Sequence, residues 1–389
     1  ENSVAVFLSG EGNDKQYWQK KPLLIRNAFP DFVSPIDPDD MAGLSLIEEV
    51  ESRIILEDKT NSSWEVKHGP FSDETFSSLP ENDWTLLVQA VDQWVPEMAD
   101  ILELFNFIPN WRTDDVMASF APQGGGVGPH YDNYDVFLIQ GLGQRKWQVG
   151  PKCSESDATV DDVPVKILKE MQVYEEWVLN PGDMLYLPPT FAHNGVALDD
   201  CMTFSVGFRA PSESDILMGF SEFIAQQLSQ DKRYSDADIK NASDHPALID
   251  ELAIKRIAQI VHDNLSKKGS LEQWIAQSMT ESKYEGLHEP LEDELDWEDL
   301  EPLLIQDEVI THNETSRWAY YKLDDAIHLT INGEPLSIKQ TKSNQELVTT
   351  LANQRHTSIA DIQEYLSNKD CQELLLTLFN GNHLYFNES

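Results

Sequence analysis

The sequence contains only three cysteines among its 389 residues. Cys153, Cys201 and Cys371 are far apart in the chain, so they form neither a disulfide framework nor a Cys-x-x-Cys metal pair. Scarce and widely spaced cysteines are typical of proteins from a reducing compartment. We therefore expect a cytoplasmic protein.

Long apolar runs are missing as well. No stretch of the sequence approaches the ~18 consecutive apolar residues of a membrane-spanning helix. No charged segment followed by an apolar one opens the sequence, as it would in a secretory leader. We expect a soluble protein that does not bind membranes.

Basic residues are scarce, with 28 Lys and Arg against 68 Asp and Glu and a formal net charge of −40. Nucleic acids and anionic membranes are bound mainly through Lys and Arg, so direct nucleic-acid binding is not expected. The charge favours basic partners. It is equally compatible with a role in solubility or with a salty habitat.

At 389 residues the chain is long enough for two or three domains, and its apolar content, at 40% of residues, is ample for a core. Residues 1–210 are predicted to form a mainly β domain, because short strands alternate there with Gly and Pro turns. Apolar residues from Trp84 to Asp100 recur at helical spacing and predict a helix. The predicted strands are Ser52–Glu57, Val116–Phe120, Asp135–Gln140, Arg145–Val149, Glu176–Val178, Met184–Leu187 and Met202–Phe208.

The spacing of apolar residues changes after residue 210. Residues 211–285 carry apolar stripes at helical spacing and predict an all-α region that needs a partner surface, for which a second copy of the chain is a candidate. Residues 286–389 are predicted to comprise an acidic linker or solvated helix and a winged-helix-like α+β domain with a hairpin at Asn332-Gly333. This domain lacks the basic face that DNA binding requires.

A glycine-rich stretch, Gly124–Gly128, leads to His130 and Asp132, which are two residues apart just before a predicted strand. In extended chain, side chains at i and i+2 project from the same face, so both can reach one metal ion. The glycines allow tight bending and close approach of the backbone to a ligand.

The pair alone is weak support for a metal site. With ten histidines and 68 acidic residues in 389, about two His-x-Asp/Glu pairs are expected by chance. His312 and Glu314 form a second such pair. It lacks a glycine-rich approach and follows an acidic run, so we interpret it as a surface loop.

A third ligand lies downstream of the first pair. The turn Pro181-Gly182-Asp183 precedes a buried strand that Pro188-Pro189 ends, and His193 is predicted to lie just beyond that strand end. His130, Asp132 and His193 form a two-histidine, one-carboxylate set that leaves three adjacent positions of an octahedral ion open, as in non-haem Fe(II) oxygenases. The alternative for His193 is a structural role, which is the more common one for a lone histidine near a strand end.

Three further residues are candidates for binding a dicarboxylate. Arg145 begins the predicted strand Arg145–Val149, which follows the strand after Asp132. From there its guanidinium can reach a ligand next to the metal, whereas Lys146 points to the opposite face. The alternative for Arg145 is a solvent-facing charge at a sheet edge. Ser119 either adds a hydroxyl to the site or is a small core residue, and Thr203 is a further candidate hydroxyl.

These motifs resemble those of the JmjC-type ribosomal oxygenases, in particular the bacterial YcfD type. The resemblance extends over the whole chain and rests on four segments. They are Trp18–Arg26, Gly124–Gln140 with Arg145, Pro181–His193, and Ser205–Pro211.

The resemblance implies a double-stranded β-helix of the cupin type, with Fe(II) as cofactor and 2-oxoglutarate as co-substrate. His130, Asp132 and His193 would bind iron, Arg145 would hold the distal carboxylate of 2-oxoglutarate, and Ser119 would lie in the ligand pocket. It further implies a homodimer formed through residues 211–285. The implied substrate is an arginine of large-subunit ribosomal protein sixteen, a basic protein, hydroxylated at Cβ.

Tyr134 and Asp135, next to the metal pair, are candidates for contacting the substrate guanidinium, although Asp135 could equally cap a turn. Three alternatives stay open from the sequence. They are a cupin enzyme that does not use 2-oxoglutarate, a non-catalytic binding module, and an oxygenase acting on another side chain or on a modified tRNA base.

Overall fold

The computed structural model describes residues 17–161, 163, 165–239, 245–284, 286–306 and 308–386. Parts of the predicted segments lie outside the described residues, including residues 1–16 of the 1–210 domain, residues 240–244 and 285 of the helical region, and residue 307 of the acidic linker. Within these ranges, no helix combines the length and the apolarity needed to cross a membrane.

The chain divides into two compact units. Unit 1 holds the described residues within 1–210, 283–316 and 353–389, and unit 2 holds those within 211–282 and 317–352. Each unit therefore contains more than one segment of the chain. The predicted division at residues 210 and 285 stays a prediction.

Two antiparallel sheets form the larger part of unit 1. Their strands are β1 (Leu23–Ile25), β2 (Ser52–Asp58), β3 (Ser63–His68), β4 (Trp84–Val88), β5 (Thr113–Ala121), β6 (Val136–Leu142), β7 (Arg145–Lys152), β8 (Glu175–Leu179), β9 (Met184–Leu187), β10 (Phe191–Ala197) and β11 (Cys201–Phe208). Among the described residues, the large sheet has the order β1-β9-β6-β11-β5-β4-β2-β3 and the small one β10-β7-β8. This arrangement agrees with the predicted cupin-like core.

Alternation along the central strands gives the large sheet two different faces. On β6, Phe137 and Ile139 enter the main apolar core, whereas Val136 and Leu138 pack with Trp147 of the small sheet. Full burial of an apolar side chain such as Phe137 contributes about 1.5–3 kcal/mol. The face that carries Val136 and Leu138 is therefore the one that meets the small sheet.

Ten helices accompany the sheets in the described residues. They are α1 (Pro38–Leu44), α2 (Asp73–Ser77), α3 (Pro96–Glu103), α4 (Glu213–Gln226), α5 (Glu251–Leu265), α6 (Ser270–Thr280), α7 (Trp297–Gln306), α8 (Lys342–Ala352), α9 (Ile359–Ile362) and α10 (Lys369–Asn380). Local sequence explains several of their starts. Asp37 caps α1 in a capping box with Asp40, and Ser212 caps α4 in the same way with Asp215.

The rest of unit 1 contains helices α7, α9 and α10 and a further three-stranded antiparallel sheet. The strands of this sheet are β12 (Val309–His312), β16 (His356–Ser358) and β17 (Leu384–Phe386), in the order β16-β12-β17. Helix α7 lies within the acidic run, and Leu300 and Leu304 are buried. These apolar residues anchor a segment that is otherwise acidic.

Unit 2 combines helices α4, α5, α6 and α8 with a three-stranded sheet. The strands are β13 (Trp318–Leu323), β14 (Ala326–Ile331) and β15 (Glu334–Leu336). Asn332 and Gly333 between β14 and β15 both have positive φ, at 51° and 81°. That is the backbone of a tight hairpin turn, so the predicted hairpin is confirmed.

Two local predictions are wrong. Trp84–Asp100 is not one helix, because Trp84–Val88 is strand β4, a short 3₁₀ turn follows at Val91–Gln93, and the α-helix begins only at Pro96. Strand β4 lies between β2 and β5, and four of its five residues are buried, so the run shows no strand alternation. His312 does not lie in a surface loop, because it ends strand β12.

Candidate active site

A cavity of about 380 Å³ in unit 1 is lined by residues from the large sheet and from the β10-β7-β8 sheet. Such a volume suits a small organic ligand. The cavity brings together all the residues that the sequence predicts as metal ligands or as co-substrate contacts. These are Ser119, His130, Asp132, Arg145, His193 and Thr203.

The three predicted metal ligands offer atoms that all lie within 4.8 Å of one another. Nε2 of His193 is 3.6 Å from a carboxylate oxygen of Asp132. Two ligand atoms that each lie ~2.1 Å from one ion are at most ~4.2 Å apart, so a small contraction would place all three on one ion. Among the residues that the structure describes, no other three His, Cys, Asp or Glu side chains meet in this way.

Backbone pairing holds the two histidines together. The amide of His130 donates to the carbonyl of His193 at 3.0 Å, and the reverse bond is 2.8 Å. His193 follows the strand end at Leu187, as predicted, but it lies inside a further strand, β10, that was not predicted from the sequence. After Pro188-Pro189, Thr190 adopts a φ of 70°, and the chain re-enters extended structure at once, in the small sheet.

Backbone carbonyls also orient both imidazole rings. Nδ1 of His130 lies 2.9 Å from the carbonyl of Gly128, and Nδ1 of His193 lies 2.9 Å from that of Phe191. A carbonyl accepts only from a protonated nitrogen, so each Nε2 keeps its lone pair for a metal. Burial and the neighbouring His130 lower the pKa of His193 to about 4, which keeps its ring neutral near pH 7.

Two glycines of the approach are needed for backbone geometry. Gly128 has a φ of 81°, which L side chains rarely adopt. A Cβ at Gly126 would lie 2.6 Å from the carbonyl oxygen of Gly195 in strand β10. The sequence interpretation of this stretch as one that allows tight bending and close approach agrees with both facts.

Arg145 is 4% exposed, and its guanidinium faces the cavity. One of its nitrogens lies 3.4 Å from the hydroxyl of Ser119, while Nε and the other terminal nitrogen have no hydrogen-bond partner in the described structure. A buried cation with free donors is costly unless an anion neutralises it. Lys146 is directed elsewhere and pairs with Glu176 at 3.8 Å.

The two predicted hydroxyl residues differ in their hydrogen bonds. Ser119 donates to the carbonyl of Thr203 at 3.2 Å and lies beside Arg145, so its hydroxyl joins the cation to the neighbouring strand. Thr203 donates to the side-chain oxygen of Gln140 at 3.1 Å. To donate to a bound ligand, Thr203 would have to give up that bond.

The two residues proposed to contact a substrate guanidinium are separated by the fold. Tyr134 lines the cavity and is 41% exposed. Burial of its hydroxyl and the charge of Asp132 raise the pKa of Tyr134 above its ordinary value. The prediction for Asp135 is wrong, because its carboxylate is fully buried and accepts hydrogen bonds from Gln19 and Tyr186 at 2.9 and 2.7 Å.

Sequence reasoning missed the outer wall of the cavity. Met117 lines the cavity on β5 together with Ser119, and Asp115 precedes them on the same face of that strand. The spacing Asp115, Met117, Ser119 was the signal, since alternate residues of a strand share a face. Arg53 and Leu87, on two neighbouring strands, extend the wall.

The second His-x-Glu pair has a structural role. Glu314 accepts hydrogen bonds from the guanidinium of Arg355 and from the hydroxyl of Tyr385. Its side chain is 13% exposed, and that of Arg355 is 7% exposed. Glu314 lies in the turn after β12, but its carboxylate belongs to a largely buried polar network.

Two family models match the sequence. One is described as a JmjC domain and matches residues 100–216, and the other as a ROXA-like winged helix and matches residues 259–385. They confirm the predicted fold, a cupin-like JmjC core with a C-terminal winged helix. The two models together extend over most of the chain.

Known proteins resemble the chain over nearly its whole length. The ribosomal protein uL16 3-hydroxylase of Escherichia coli is 32% identical over 378 residues, covering 96% of each chain. A probable ribosomal oxygenase of Haemophilus influenzae is 35% identical over 330 residues, covering 82% of this chain and 80% of its own.

Solved structures give the same result. The E. coli ribosomal oxygenase YcfD in complex with cobalt and 2-oxoglutarate superposes with a TM-score of 0.83, at 32% identity, over 96% of this chain and 97% of its own. Its complex with cobalt and succinic acid gives 0.82 over the same shares. The cavity geometry, the identity and the shared fold together show that this chain belongs to the JmjC family of ribosomal oxygenases.

Proposed function

We propose that the chain is an Fe(II)- and 2-oxoglutarate-dependent hydroxylase that acts at Cβ of an arginine in ribosomal protein uL16. One observation carries the proposal. Arg145 is a buried cation with free donors, and it lies in the same cavity as His130, Asp132 and His193. The name of the E. coli relative supports uL16 as the substrate.

The donor set fits a divalent iron. Two neutral imidazoles and one carboxylate suit Fe(II) and leave three adjacent coordination positions open. His130, Asp132 and His193 would hold the ion, and backbone carbonyls already orient the two imidazole rings. When bound, the metal supplies the chemistry that couples oxidation of 2-oxoglutarate to attack on an unactivated C–H bond.

The protein residues bind and position the reactants. Arg145 would donate to the distal carboxylate of 2-oxoglutarate, with the Ser119 hydroxyl beside it, and Thr203 is a further candidate. The enclosing walls exclude water, since Trp147 is 5% and Ile167 1% exposed. Low exposure strengthens the ion pair between Arg145 and a carboxylate. No protein acid or base is required by this assignment.

Charge supports a cationic substrate. The chain carries a formal net charge of −40, and opposite charge speeds and orients the encounter with a basic protein such as a ribosomal protein. At the outer wall, Asp115 lies on the strand face that leads to the cavity, and Tyr134 offers an exposed aromatic ring. A carboxylate and an aromatic face are both favourable partners for a guanidinium.

Intact-mass spectrometry tests the proposal. The protein is loaded anaerobically with Fe(II), given 2-oxoglutarate and air, and mixed separately with individual large-subunit ribosomal proteins. We expect uL16 alone to gain ~16 Da, located on an arginine by fragmentation. Turnover of 2-oxoglutarate with a mass gain on another protein would refute the substrate assignment. The absence of any 2-oxoglutarate turnover would refute the chemistry.

We also propose that the chain is a homodimer through residues 211–285. None of the fifteen residues of α5 is buried within the single chain. Leu252, Ile257 and Ile260 are 57%, 51% and 46% exposed, and Leu217 on α4 is 66% exposed. A contiguous apolar surface of this kind is normally covered by a partner, and a symmetric second copy covers it with the same residues.

The double substitution Leu252→Glu and Ile257→Glu is expected to give a monomer of 44.2 kDa where the unmodified protein gives twice that mass. Glutamates at a buried apolar contact leave charges without partners, which strongly disfavours association. Light scattering after size exclusion measures the mass. Ile305→Glu is the control, because Ile305 is 78% exposed on α7 and lies outside this region. A monomeric unmodified protein would contradict the proposal.

A further inference from the structure

Lys283 makes an ion pair with strand β5, next to the residues of that strand that line the cavity. Its Nζ lies 3.1 Å from a carboxylate oxygen of Asp115 and 3.4 Å from one of Asp114. The side chain of Asp115 is 4% exposed, whereas that of Lys283 is 37% exposed. The neighbouring residue, Tyr284, also contacts this part of unit 1, because its hydroxyl donates to Glu51 at 2.9 Å.

The carboxylate of Asp115 is held in place by hydrogen bonds. Besides Lys283, the side-chain amide of Gln89 donates to both of its carboxylate oxygens, at 3.0 and 2.9 Å. Burial alone would lower the pKa of Lys283, but the charges of Asp115 and Asp114 raise it above the ordinary value. The lysine is therefore charged at neutral pH, and it neutralises a carboxylate that is otherwise removed from water.

The position of Asp115 connects it to the cavity. On β5, Met117 and Ser119 line the cavity, and Asp115 is the next residue outward on the same face. A Cβ at Gly207 would lie 3.9 Å from both the Asp115 carbonyl and the Tyr134 ring. Asp115 and the cavity-lining Tyr134 therefore flank the same glycine of β11.

We propose that Lys283 is an internal competitor for the substrate, holding the Asp115 carboxylate until the cationic side chain of the substrate replaces it. This inference rests on the proposed function. A guanidinium presents two parallel donors to a carboxylate, whereas an ammonium acts as a single point charge, so the exchange favours the substrate. The partial exposure of Lys283 lets its ammonium return to water after displacement.

The competition affects only the binding of cationic side chains. A neutral side chain that enters the cavity gains nothing from Asp115 and leaves Lys283 in place. A cationic side chain gains the ion pair but has to displace the lysine, which lowers its apparent affinity by the fraction of molecules in which Asp115 is free. Lys283 thus moderates binding of the correct substrate and does not open the site to others.

The test compares Lys283→Met with the unmodified protein, using a uL16 peptide that spans the hydroxylated arginine and the same peptide with citrulline in that place. If Lys283 occupies Asp115 in ~90% of molecules, Lys283→Met should lower Kd and KM for the arginine peptide about tenfold, with kcat unchanged. The citrulline peptide should bind both proteins alike. Fluorescence anisotropy measures Kd, and succinate formation measures KM and kcat.

Three further variants separate competition from other effects. Lys67→Met controls for the change in net charge. It removes a lysine that forms an exposed ion pair with Glu65 at 3.7 Å. Lys283→Arg keeps a cation at Asp115 and should bind the arginine peptide no more tightly than the unmodified protein. In an Asp115→Asn background, Lys283→Met should give no gain, because the contested carboxylate is gone.

The outcomes distinguish this inference from the proposed function. Equal or weaker binding of the arginine peptide by Lys283→Met would overturn competition while arginine-dependent turnover persists in the unmodified protein. An equal gain for the citrulline peptide would also overturn it, since the lysine would then act by occupying space. Absence of arginine-dependent turnover in the unmodified protein would overturn both proposals.

Discussion

Asp132→Ala is expected to abolish succinate formation, with a loss on the order of 1000-fold or more, because the proposed metal would lose its anionic ligand. The two remaining ligands, His130 and His193, offer no anionic donor, and burial lowers the pKa of His193. A dication shared by two imidazoles without a carboxylate is bound far more weakly. The measurements are succinate formation and the content of cobalt after anaerobic reconstitution.

Thermal unfolding gives this prediction a readout that does not depend on activity. A ligand that binds only the folded state adds ~2.7 kcal/mol of stability at a hundredfold excess over its Kd. Added metal should therefore raise the Tm of the unmodified protein and leave that of Asp132→Ala unchanged. His312→Ala, at the other His-x-Glu pair, is the control and should keep the metal-dependent rise. Full metal binding by Asp132→Ala would contradict the assignment of this residue.

Arg145→Ala is expected to raise the KM for 2-oxoglutarate by at least ~30-fold and to leave metal binding intact. Truncating one partner of a buried, hydrogen-bonded charge pair costs about 2–5 kcal/mol, and each 1.4 kcal/mol is a factor of ten. Arg145→Lys should recover only part of the loss, since an ammonium lacks the two parallel donors of a guanidinium. Steady-state turnover of 2-oxoglutarate measures the effect.

Two comparisons make the Arg145 result specific. Lys146→Ala removes the neighbouring charge, which pairs with Glu176 away from the cavity, and should leave KM unchanged. In the ligand-free protein, Arg145 has free donors in a buried position, so Arg145→Ala should not lower the Tm of that form. Unchanged turnover of 2-oxoglutarate by Arg145→Ala would favour a cupin enzyme that does not use this co-substrate.

Local sequence patterns predicted the parts of the fold in which Gly, Pro or Asn marks a turn or the end of a strand. Gly124–Gly128, the Pro188-Pro189 stop and the Asn332-Gly333 turn each contain residues whose backbone preferences allow few structures. The spacing of His130 and Asp132 showed that the two can act together. Because Gly and Pro act locally, these features could be located without tertiary information.

The misplaced features depend on partners that are distant in sequence. Strand β4 was taken for a helix because it lies inside the sheet and four of its five residues are buried, which removes the alternation that marks a strand. Asp135 was proposed to meet substrate, but Tyr186 and Gln19 satisfy its carboxylate in the interior. Lys283 meets Asp115 across 168 residues of sequence, which no local pattern reveals.

The paired backbone of His130 and His193 has a practical consequence for metal identity. Folding brings the ligands together without a metal ion, so assembly of the site does not depend on which ion is present. A preformed set of imidazole and carboxylate ligands ranks divalent ions in the Irving–Williams order, in which Ni²⁺, Cu²⁺ and Zn²⁺ bind more tightly than Fe²⁺. Protein eluted from a nickel resin would carry the wrong ion and be inactive until that ion is stripped.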